Sequence, residues 1–290
     1  MQVEVKNLSF VYNKKMKSMA TNALKNVSLT VDEGDFLGII GHTGSGKSTL
    51  VQHFNGLIKT TAEYGSIKIG EFNLTDKKCD FKSLRAKVGM VFQYPEYQLF
   101  AETVYEDVEF GVKNFLSSVT EEERRDLVKQ AIELVGLNFE EVKDKSPFEL
   151  SGGQKRRVAI AGVIVTKPEI LVLDEPVAGL DPQGKKDFLR LLKTLHGGFV
   201  KTIIIVSHDM NVVSEYCNKV AVFSKGEIIK FGTPKQVFSD SELLYSIGLD
   251  LPLTAKLTNA LKLKGVIIDT DFTLNDFISK SAIALKKGVE

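Results

Sequence analysis

Alternating apolar and polar positions near the N-terminus, and again around residue 225, predict antiparallel β-structure. Residues 3–5, 8–12 and 24–31 either alternate between apolar and polar side chains or are rich in β-branched residues. Residues 220–223 and 227–231 flank a short segment that contains a glycine, and they predict a hairpin. Runs of this kind are typical of strands with one face toward a core and the other toward water.

Continuous apolar runs predict a second kind of strand, buried on both faces as in a parallel sheet. They lie at residues 36–40, 170–173 and 202–206, with further strands expected at residues 66–70 and 87–92. Helices are predicted over residues 48–57, 121–135 and 151–166. The second should begin at the N-cap residue Thr120 and stop at Gly136. The predicted fold class is therefore α/β, with a parallel core sheet and an antiparallel β subdomain.

The pattern changes after Pro234, where leucines recur at helical spacing. Leu253, Leu257 and Leu261 share one helix face, and further apolar positions follow toward the C-terminus. A tail of about 55 residues is too short to bury much of a core of its own. We therefore expect residues 235–290 to form a small C-terminal helical appendage that packs on another surface.

Composition and charge restrict the classes of function. The 290 residues carry a net charge of +1, without the basic excess that nucleic-acid binding usually needs. The two cysteines, Cys79 and Cys217, are far apart in sequence and indicate reduced thiols rather than a disulfide or a metal site. No apolar run reaches the roughly 20 residues that span a bilayer, and the N-terminal strand is not typical of a targeting sequence. We therefore expect a chain that does not itself cross a membrane.

A glycine-rich segment between a predicted strand and a predicted helix carries the first clear chemistry. It reads Gly41-His42-Thr43-Gly44-Ser45-Gly46-Lys47-Ser48-Thr49 and fits the P-loop pattern in its strand–loop–helix context. The glycines let backbone N–H groups approach phosphate oxygens closely. Lys47 places a cation at the β- and γ-phosphates, and Ser48 is the expected Mg²⁺ ligand. The segment therefore predicts a binding site for ATP and Mg²⁺.

A pair of carboxylates closes the buried strand at residues 170–173. Asp174 follows four apolar residues, which is the pattern of a Walker B motif whose aspartate supports Mg²⁺. Glu175, one position further, can reach the far side of the γ-phosphate and is our candidate general base for the attacking water. The alternative is that the two carboxylates only end the strand before Pro176.

A third segment, between the P-loop and Asp174, reads Leu150-Ser151-Gly152-Gly153-Gln154. Ser151 is a candidate helix N-cap, and the two glycines open backbone N–H groups toward an anion. With these three motifs in this order, the chain resembles the ATP-binding-cassette (ABC) family from about residue 3 to residue 232. The resemblance implies a P-loop NTPase core at residues 1–234, whose helical subdomain, at about residues 94–167, carries LSGGQ.

The resemblance also implies roles for residues that have no distinctive pattern of their own. His208, after a buried strand, would contact the γ-phosphate, and Gln93 would link Mg²⁺ and the attacking water to a transmembrane partner. Asp181 would belong to the D-loop, which bridges two nucleotide sites. Tyr12 would stack on adenine, a contact worth about 1–3 kcal/mol, although Phe10 competes for this role. In this family two cassettes pair head to tail, so that LSGGQ of one chain closes the nucleotide site of the other.

Residues 91–100 and 150–162 resemble the ATPases of energy-coupling factor (ECF) vitamin importers. Residues 174–182 resemble the second ATPase subunit of these importers, A-prime, although Val177 stands where threonine is more usual. The resemblance implies three partners: a second ATPase subunit, a transmembrane T component, and a substrate-binding membrane S component. The chain would lie at the cytoplasmic face of the cell membrane. Residues 100–112 would receive the T component, unless they form an ordinary partly buried helix, and the tail would help to hold the ATPase pair together.

Three other functions fit parts of the sequence. The nearest is the ATPase of a conventional ABC importer for another solute. A soluble ABC protein that acts on ribosomes or DNA usually has two cassettes, a long coiled coil or a zinc insertion, and this chain has one P-loop and no such insertion. A regulatory subunit that binds nucleotide without hydrolysing it would not need Glu175 and His208. The resemblance implies that the transported solute is chosen by another chain.

Overall fold

Two β-sheets form the framework of the computed structural model, which describes residues 1–13, 20–116 and 118–287. In chain order the strands are β1 (Val3–Tyr12), β2 (Thr21–Val31), β3 (Phe36–Gly41), β4 (Ser66–Ile69), β5 (Phe72–Asn73), β6 (Val88–Val91), β7 (Ile170–Asp174), β8 (Thr202–Val206), β9 (Lys219–Ser224) and β10 (Glu227–Gly232). The helices are α1 (Lys47–Phe54), α2 (Phe81–Lys87), α3 (Val104–Phe115), α4 (Glu121–Leu134), α5 (Phe139–Val142), α6 (Gly152–Ile164), α7 (Pro182–His196), α8 (Met210–Tyr216), α9 (Pro234–Phe238), α10 (Ser241–Ser246), α11 (Leu253–Leu263) and α12 (Leu274–Lys287).

The central sheet has six strands in the order β10-β9-β3-β8-β7-β6, and every neighbouring pair except β10 and β9 is parallel. All residues of β3, β7 and β8 are buried, as their apolar runs predict. Their side chains alternate between two cores. On β8, Ile203 and Ile205 join one buried cluster, while Ile204 and Val206 join the other. The sheet therefore separates the two hydrophobic cores of the molecule.

The second sheet is antiparallel, in the order β2-β1-β4-β5. The runs predicted as separate strands at residues 3–5 and 8–12 are one strand, β1, so that prediction was wrong. Asn7, with a φ of 51°, interrupts the alternation, and the register with β2 shifts between Val5 and Leu8. An irregularity of this kind bends a strand and re-aims its side chains without ending it.

Helices α3, α4 and α6 pack together as a helical layer beside the central sheet. α3 and α6 approach closely because Gly111 has no side chain, and a Cβ there would lie 2.9 Å from the carbonyl oxygen of Gly162. Each of the three helices begins with a capping box, formed by Thr103, Thr120 and Ser151. The N-caps predicted at Thr120 and Ser151 are therefore confirmed.

Several predicted boundaries differ from the structure by one to three residues. α1 ends at Phe54, not near residue 57, because Gly56 (φ 69°) turns the chain out of the helix and the N–H of Leu57 bonds back to the carbonyl of Gln52. Helix α2, capped by Asp80, occupies the residues up to 87, so the strand expected from residue 87 begins with β6.

The C-terminal helices pack on the cassette rather than standing apart. Leu244, Leu251 and Ala255 belong to the same buried cluster as Ile203 and Ile205 of the central sheet. The tail was expected to pack on another surface, and in the structure that surface is the core of the same chain. The division at residue 234 remains a prediction, because the core is continuous across it.

Hydrogen bonds from α8 hold the tail in place. Asn211 Oδ1 accepts the N–H of Leu253 at 2.8 Å, and Glu215 Oε2 accepts the N–H of Leu274 at 2.9 Å. Each acceptor therefore bonds to the first N–H group of one tail helix. That group has no acceptor within its own helix. Among the residues described, no helix combines the length and the apolarity needed to cross a membrane.

His53 provides a test of the core beneath α1. The side chain is fully buried, its Nδ1 lies 2.7 Å from the carbonyl of Thr49, and its Nε2 has no partner. Burial lowers the pKa of His53 below its usual value of 6.5. Below about pH 6.5 the unfolded chain therefore takes up a proton that the folded chain excludes, and stability falls by up to about 1.4 kcal/mol per pH unit until the folded pKa is reached.

We expect His53→Asn, which keeps a donor toward the Thr49 carbonyl, to reduce the loss of stability between about pH 7.5 and pH 5.5. The measurement is the free energy of unfolding in denaturant at both pH values. His196→Asn, at the half-buried end of α7, is the control. An equal loss of stability in wild type and His53→Asn would contradict the prediction.

A candidate nucleotide-binding site

Three loops meet at the carboxyl edge of the central sheet. β3 and β7 both pair in parallel with β8, and the register sets Ile39 and Asp174 beside Val206. The segments that follow these strands therefore leave the sheet together. They enclose most of a cavity of about 470 Å³, which is lined by Tyr12, Thr21, Ala23, Thr43, Gly44, Gly46, Lys47, Ser48, Thr49, Gln93, Asp174, Glu175, Val206 and His208.

The P-loop has the geometry needed to bind an anion. Gly46 has a φ of 107°, and a Cβ there would lie 2.4 Å from the carbonyl oxygen of Ala23, so only glycine fits. α1 begins directly after it without a side-chain cap, which leaves the first N–H groups of the helix directed at the cavity. Gly41, His42 and Ser45 belong to the same loop but are outside the cavity lining, and the Oγ of Ser45 is buried without a partner.

Lys47 lies folded against this loop. Its Nζ donates hydrogen bonds to the carbonyl oxygens of Gly41 at 2.7 Å and His42 at 2.8 Å. Burial lowers the pKa of Lys47, while the charges of Glu175 and Asp174 oppose this shift. The ammonium group therefore lies in a poorly solvated position beside the cavity, where an anionic ligand would stabilise its charge.

The side chains around Asp174 are suited to a hard cation. Burial raises the pKa of Asp174, while a hydrogen bond with Ser48 and the charge of Lys47 lower it. The Oδ1 of Asp174 is buried and has no hydrogen-bond partner. Gln93 lines the same cavity. Carboxylate, hydroxyl and amide oxygens are the ligands that Mg²⁺ prefers, with water and phosphate completing its coordination.

Glu175 and His208 form a hydrogen-bonded pair at the cavity. The Nδ1 of His208 lies 2.6 Å from Oε2 of Glu175. The backbone of Glu175 has a φ of 50°, and its N–H bonds to the carbonyl of Val206 at 3.0 Å. A left-handed conformation is unfavourable for glutamate and persists only where neighbouring contacts hold it. The arrangement orients a carboxylate that can accept a proton from water.

Tyr12, rather than Phe10, presents its ring to the cavity. Tyr12 is exposed, lines the cavity and has its hydroxyl 3.3 Å from the Oγ1 of Thr49. Phe10 lies behind it, with ring contacts to Tyr12 at 4.8 Å and to buried His53 at 5.1 Å. Phe10 therefore packs against the ring of Tyr12 from behind, and the exposed ring of Tyr12 provides the surface on which a base can stack.

The structure does not bring the LSGGQ segment to this cavity. Gly152, Gly153 and Asp181 line a separate cavity of about 750 Å³. Ser151 Oγ accepts the N–H of Gln154 at 3.4 Å, and the side chain of Gln154 accepts the N–H of Ser151 at 3.1 Å. The capping box thus uses both polar side chains of the segment within its own helix, and the two glycines remain exposed.

Sequence reasoning did not identify Arg156, Thr21, Ala23 or Val206. Thr21 and Ala23 line the cavity because β2 starts there, and Val206 lines it because β8 ends there; no sequence motif marks these three positions. Arg156 is different, because it is a charged residue on the buried face of α6, one turn before Ile160. A charge at a position where helical spacing predicts burial is a signal that could have found it.

Known proteins are similar to this chain over most of its length. A family model described as ABC transporter matches residues 24–178. The energy-coupling factor transporter ATP-binding protein EcfA2 of Caldanaerobacter subterraneus subsp. tengcongensis is 48% identical over 271 residues, which cover 93% of each chain. The protein of that name from Clostridioides difficile is 47% identical over 289 residues, or 99% of each chain.

Solved structures are similar as well. The structure of cbiO1 from Clostridium perfringens, part of the ABC transporter complex cbiONQ, has a TM-score of 0.71 at 39% identity and matches 89% of this chain and 98% of its own. The ATP-binding cassette MJ0796, in a dimeric post-hydrolysis state bound to ADP and Pi, has a TM-score of 0.70 at 33% identity, over 80% of this chain and 98% of its own.

Proposed function

The chain belongs to the ABC transporter family, among the energy-coupling factor transporter ATP-binding proteins, and we propose that it drives uptake of a vitamin or another micronutrient by hydrolysing ATP. The predicted family, fold class and ATPase activity are confirmed by these relationships. The observation that carries the mechanism is the meeting of Lys47, Asp174, Glu175 and His208 around one cavity. Similarity to EcfA2 proteins over nearly the full length favours an ECF importer over a conventional one.

ATP would lie with its base on Tyr12 and its phosphates in the P-loop. Successive N–H groups at the start of α1 would donate to phosphate oxygens, and Lys47 would exchange its bonds to loop carbonyls for bonds to the β- and γ-phosphates. Ser48 and Asp174, with Gln93, would hold Mg²⁺. The metal, when bound, neutralises charge that develops on the phosphate oxygens.

Hydrolysis would depend on the Glu175–His208 pair. The Glu175 carboxylate would accept a proton as water attacks the γ-phosphate, and the hydrogen bond to His208 would keep the carboxylate in position. His208 itself is exposed at the mouth of the cavity, where it would contact the γ-phosphate.

The two exposed glycines of LSGGQ support head-to-tail pairing with a second ATPase subunit. Within the part of the chain that the structure describes, no atom lies within 4 Å of a Cβ built on Gly152 or Gly153, so no contact there requires glycine. Glycine costs a helix about 1 kcal/mol relative to alanine. A ligand or partner that approaches the backbone closely explains this cost, and the nucleotide held by the second subunit fits the description.

An aromatic surface next to Gln93 is suited to a transmembrane partner. Phe100 is 60% exposed and makes an edge-to-face contact at 4.9 Å with Phe110, which is also exposed. Tyr97, three residues before Phe100 in the sequence, is 84% exposed and has its ring centroid 6.0 Å from that of Tyr94. Exposed apolar side chains that cluster in this way mark interaction sites. We assign this surface to the T component, whose membrane domain would hold the chain at the cytoplasmic face of the membrane, with the S component bound through that partner.

The outer face of the tail offers a second apolar surface. Leu263 is 90% exposed and Ile267 is 80% exposed. Ile267 and Ile283 also line a groove of about 550 Å³ between the segment after α11 and α12. Since the inner side of the tail is anchored in the core, this outer face is available to the second ATPase subunit, and we assign the pairing role of residues 235–290 to it.

The first prediction from this proposed function concerns catalysis. Glu175→Gln should retain ATP binding but lower ATP turnover by about 10²–10⁴-fold, because the amide keeps the shape and cannot accept a proton. The measurement is steady-state ATPase of the assembled complex, with ATP affinity measured alongside. Glu169→Gln, at the opposite end of β7, is the matched control. A fall of less than about threefold would exclude Glu175 as the base.

The second prediction concerns membrane coupling. Phe100→Asp should reduce recovery with the membrane partner and substrate uptake, because an unpaired carboxylate buried in a docking surface costs several kcal/mol. ATP affinity should stay near the wild-type value, since the P-loop is unchanged. Phe231→Asp, which changes an exposed phenylalanine on β10, is the control. Equal membrane recovery and uptake in Phe100→Asp and wild type would refute this surface.

The third prediction concerns the tail. Leu263→Ser combined with Ile267→Ser should weaken co-purification of the two ATPase subunits, because burial of such side chains contributes about 1.5–3 kcal/mol each. Thermal stability of the isolated chain should hardly change, since both side chains are exposed. Ile229→Ser on β10 is the control. Undiminished pairing of the two subunits would show that the outer face of the tail is not the contact.

A further inference from the structure

Arg156 makes an unusual connection between two parts of the molecule. It lies on α6, directly beyond LSGGQ, and is only 5% exposed. Its Nη1 donates to the carbonyl of Ala178 at 3.0 Å, and its Nη2 donates to the carbonyl of Pro176. Burial lowers the pKa of this guanidinium. A buried charge is costly unless its hydrogen bonds are satisfied, so loss of these two bonds would leave the guanidinium poorly stabilised.

The two carbonyls belong to the loop that begins immediately after Glu175. Glu175 has the left-handed backbone described above, and its carbonyl accepts the N–H of Ala178 at 3.2 Å. Through its two hydrogen bonds, Arg156 on α6 therefore holds the first turn of this loop in place. Because Pro176 directly follows Glu175 in the chain, a displacement of the Arg156 guanidinium changes the orientation of the Glu175 carboxylate.

A third segment reaches the same junction from the end of β6. Tyr94, next to Gln93, lies with its Cε1 3.5 Å from a Cβ built on Gly179. Glu96 has one carboxylate oxygen buried without a hydrogen-bond partner, and its charge acts on the Arg156 guanidinium. The LSGGQ helix, the Glu175 loop and the segment after Gln93 thus meet around one side chain.

We propose that Arg156 is a positioning residue that transmits the placement of α6 to the general base Glu175. The inference rests on the proposed hydrolytic function and deepens it. α6 starts at the segment that would close the nucleotide site of the second ATPase subunit. When α6 moves toward that nucleotide, the guanidinium carries the carbonyls of Pro176 and Ala178 with it. Glu175 then reaches its working position only after LSGGQ of its own chain has engaged the other site.

The test is Arg156→Lys in the assembled complex with the second ATPase subunit and the T component. A lysine keeps the charge but cannot donate to both carbonyls with the fixed fork of a guanidinium. We expect kcat for ATP hydrolysis to fall about tenfold or more, since small misplacements of a catalytic group have effects of this size. KM and ATP affinity should remain within about twofold of wild type.

Arg124→Lys is the control, because Arg124 is a half-buried arginine whose Nε, like that of Arg156, has no partner among the described residues, and it bonds to Glu109 within the helical layer. It should leave kcat near wild type. Arg156→Gln is the second variant and avoids leaving an unpaired charge in the core. It should show the same loss of kcat with retained ATP affinity.

A double-mutant cycle with Glu175→Gln separates positioning from general damage. If Arg156 acts through Glu175, Arg156→Lys should lower kcat in the wild-type background and have little further effect once Glu175 is glutamine. Equal effects in both backgrounds would overturn the proposal. So would a parallel loss of ATP affinity, or an unchanged kcat in both Arg156 variants.

The same experiment separates this proposal from the proposed function. If Glu175→Gln retains wild-type turnover, the proposed mechanism fails and the positioning role fails with it. If Glu175→Gln is inactive while Arg156→Lys and Arg156→Gln turn over normally, only the positioning role is wrong.

Discussion

The parallel register of β3, β8 and β7 is the constraint on which the rest of the structure depends. It brings the P-loop, the Asp174–Glu175 pair and His208 to one edge of the sheet. The register is strongly specified, because successive side chains of each strand fill different cores. A slip by one residue would exchange the two sets of side chains and disrupt both cores. The positions of the candidate catalytic groups are therefore fixed by the packing of isoleucines and leucines that do not line the cavity.

The polar groups at this edge are held in an unfavourable state that a ligand would relieve. Lys47 and Asp174 are both buried, and burial shifts the pKa of each toward its uncharged form. One oxygen of Asp174 and the hydroxyl of Ser45 have no hydrogen-bond partner. A triphosphate with its cation would supply the opposite charges for Lys47 and Asp174 and a partner for the free oxygen of Asp174. Binding should accordingly stabilise the folded state, as expected for any ligand that binds only the native form.

Much of this site could be predicted from sequence, because its groups lie in contiguous motifs at the ends of buried strands. The P-loop follows β3 and Asp174 ends β7, and parallel strands present their carboxyl ends at one edge. The bonds of Arg156 to the loop after Glu175 could not be predicted, since they depend on how closely α6 approaches that loop. The single strand β1 was also missed, because the unusual backbone of Asn7 breaks an alternation that the strand itself continues. The roles of individual site residues remain predictions.

The burial of tail residues in the central core has a consequence for how the protein is made. Leu244, Leu251, Ala255 and Phe272 complete a cluster that also contains strands of the central sheet. A nascent chain that has emerged from the ribosome only as far as β10 possesses every catalytic motif but not its full core. It would expose apolar surface until the last helices arrive, which is the condition under which intermediates aggregate. Completion of the core therefore waits for synthesis of the C-terminal helices, which also carry the outer apolar face that we propose for pairing.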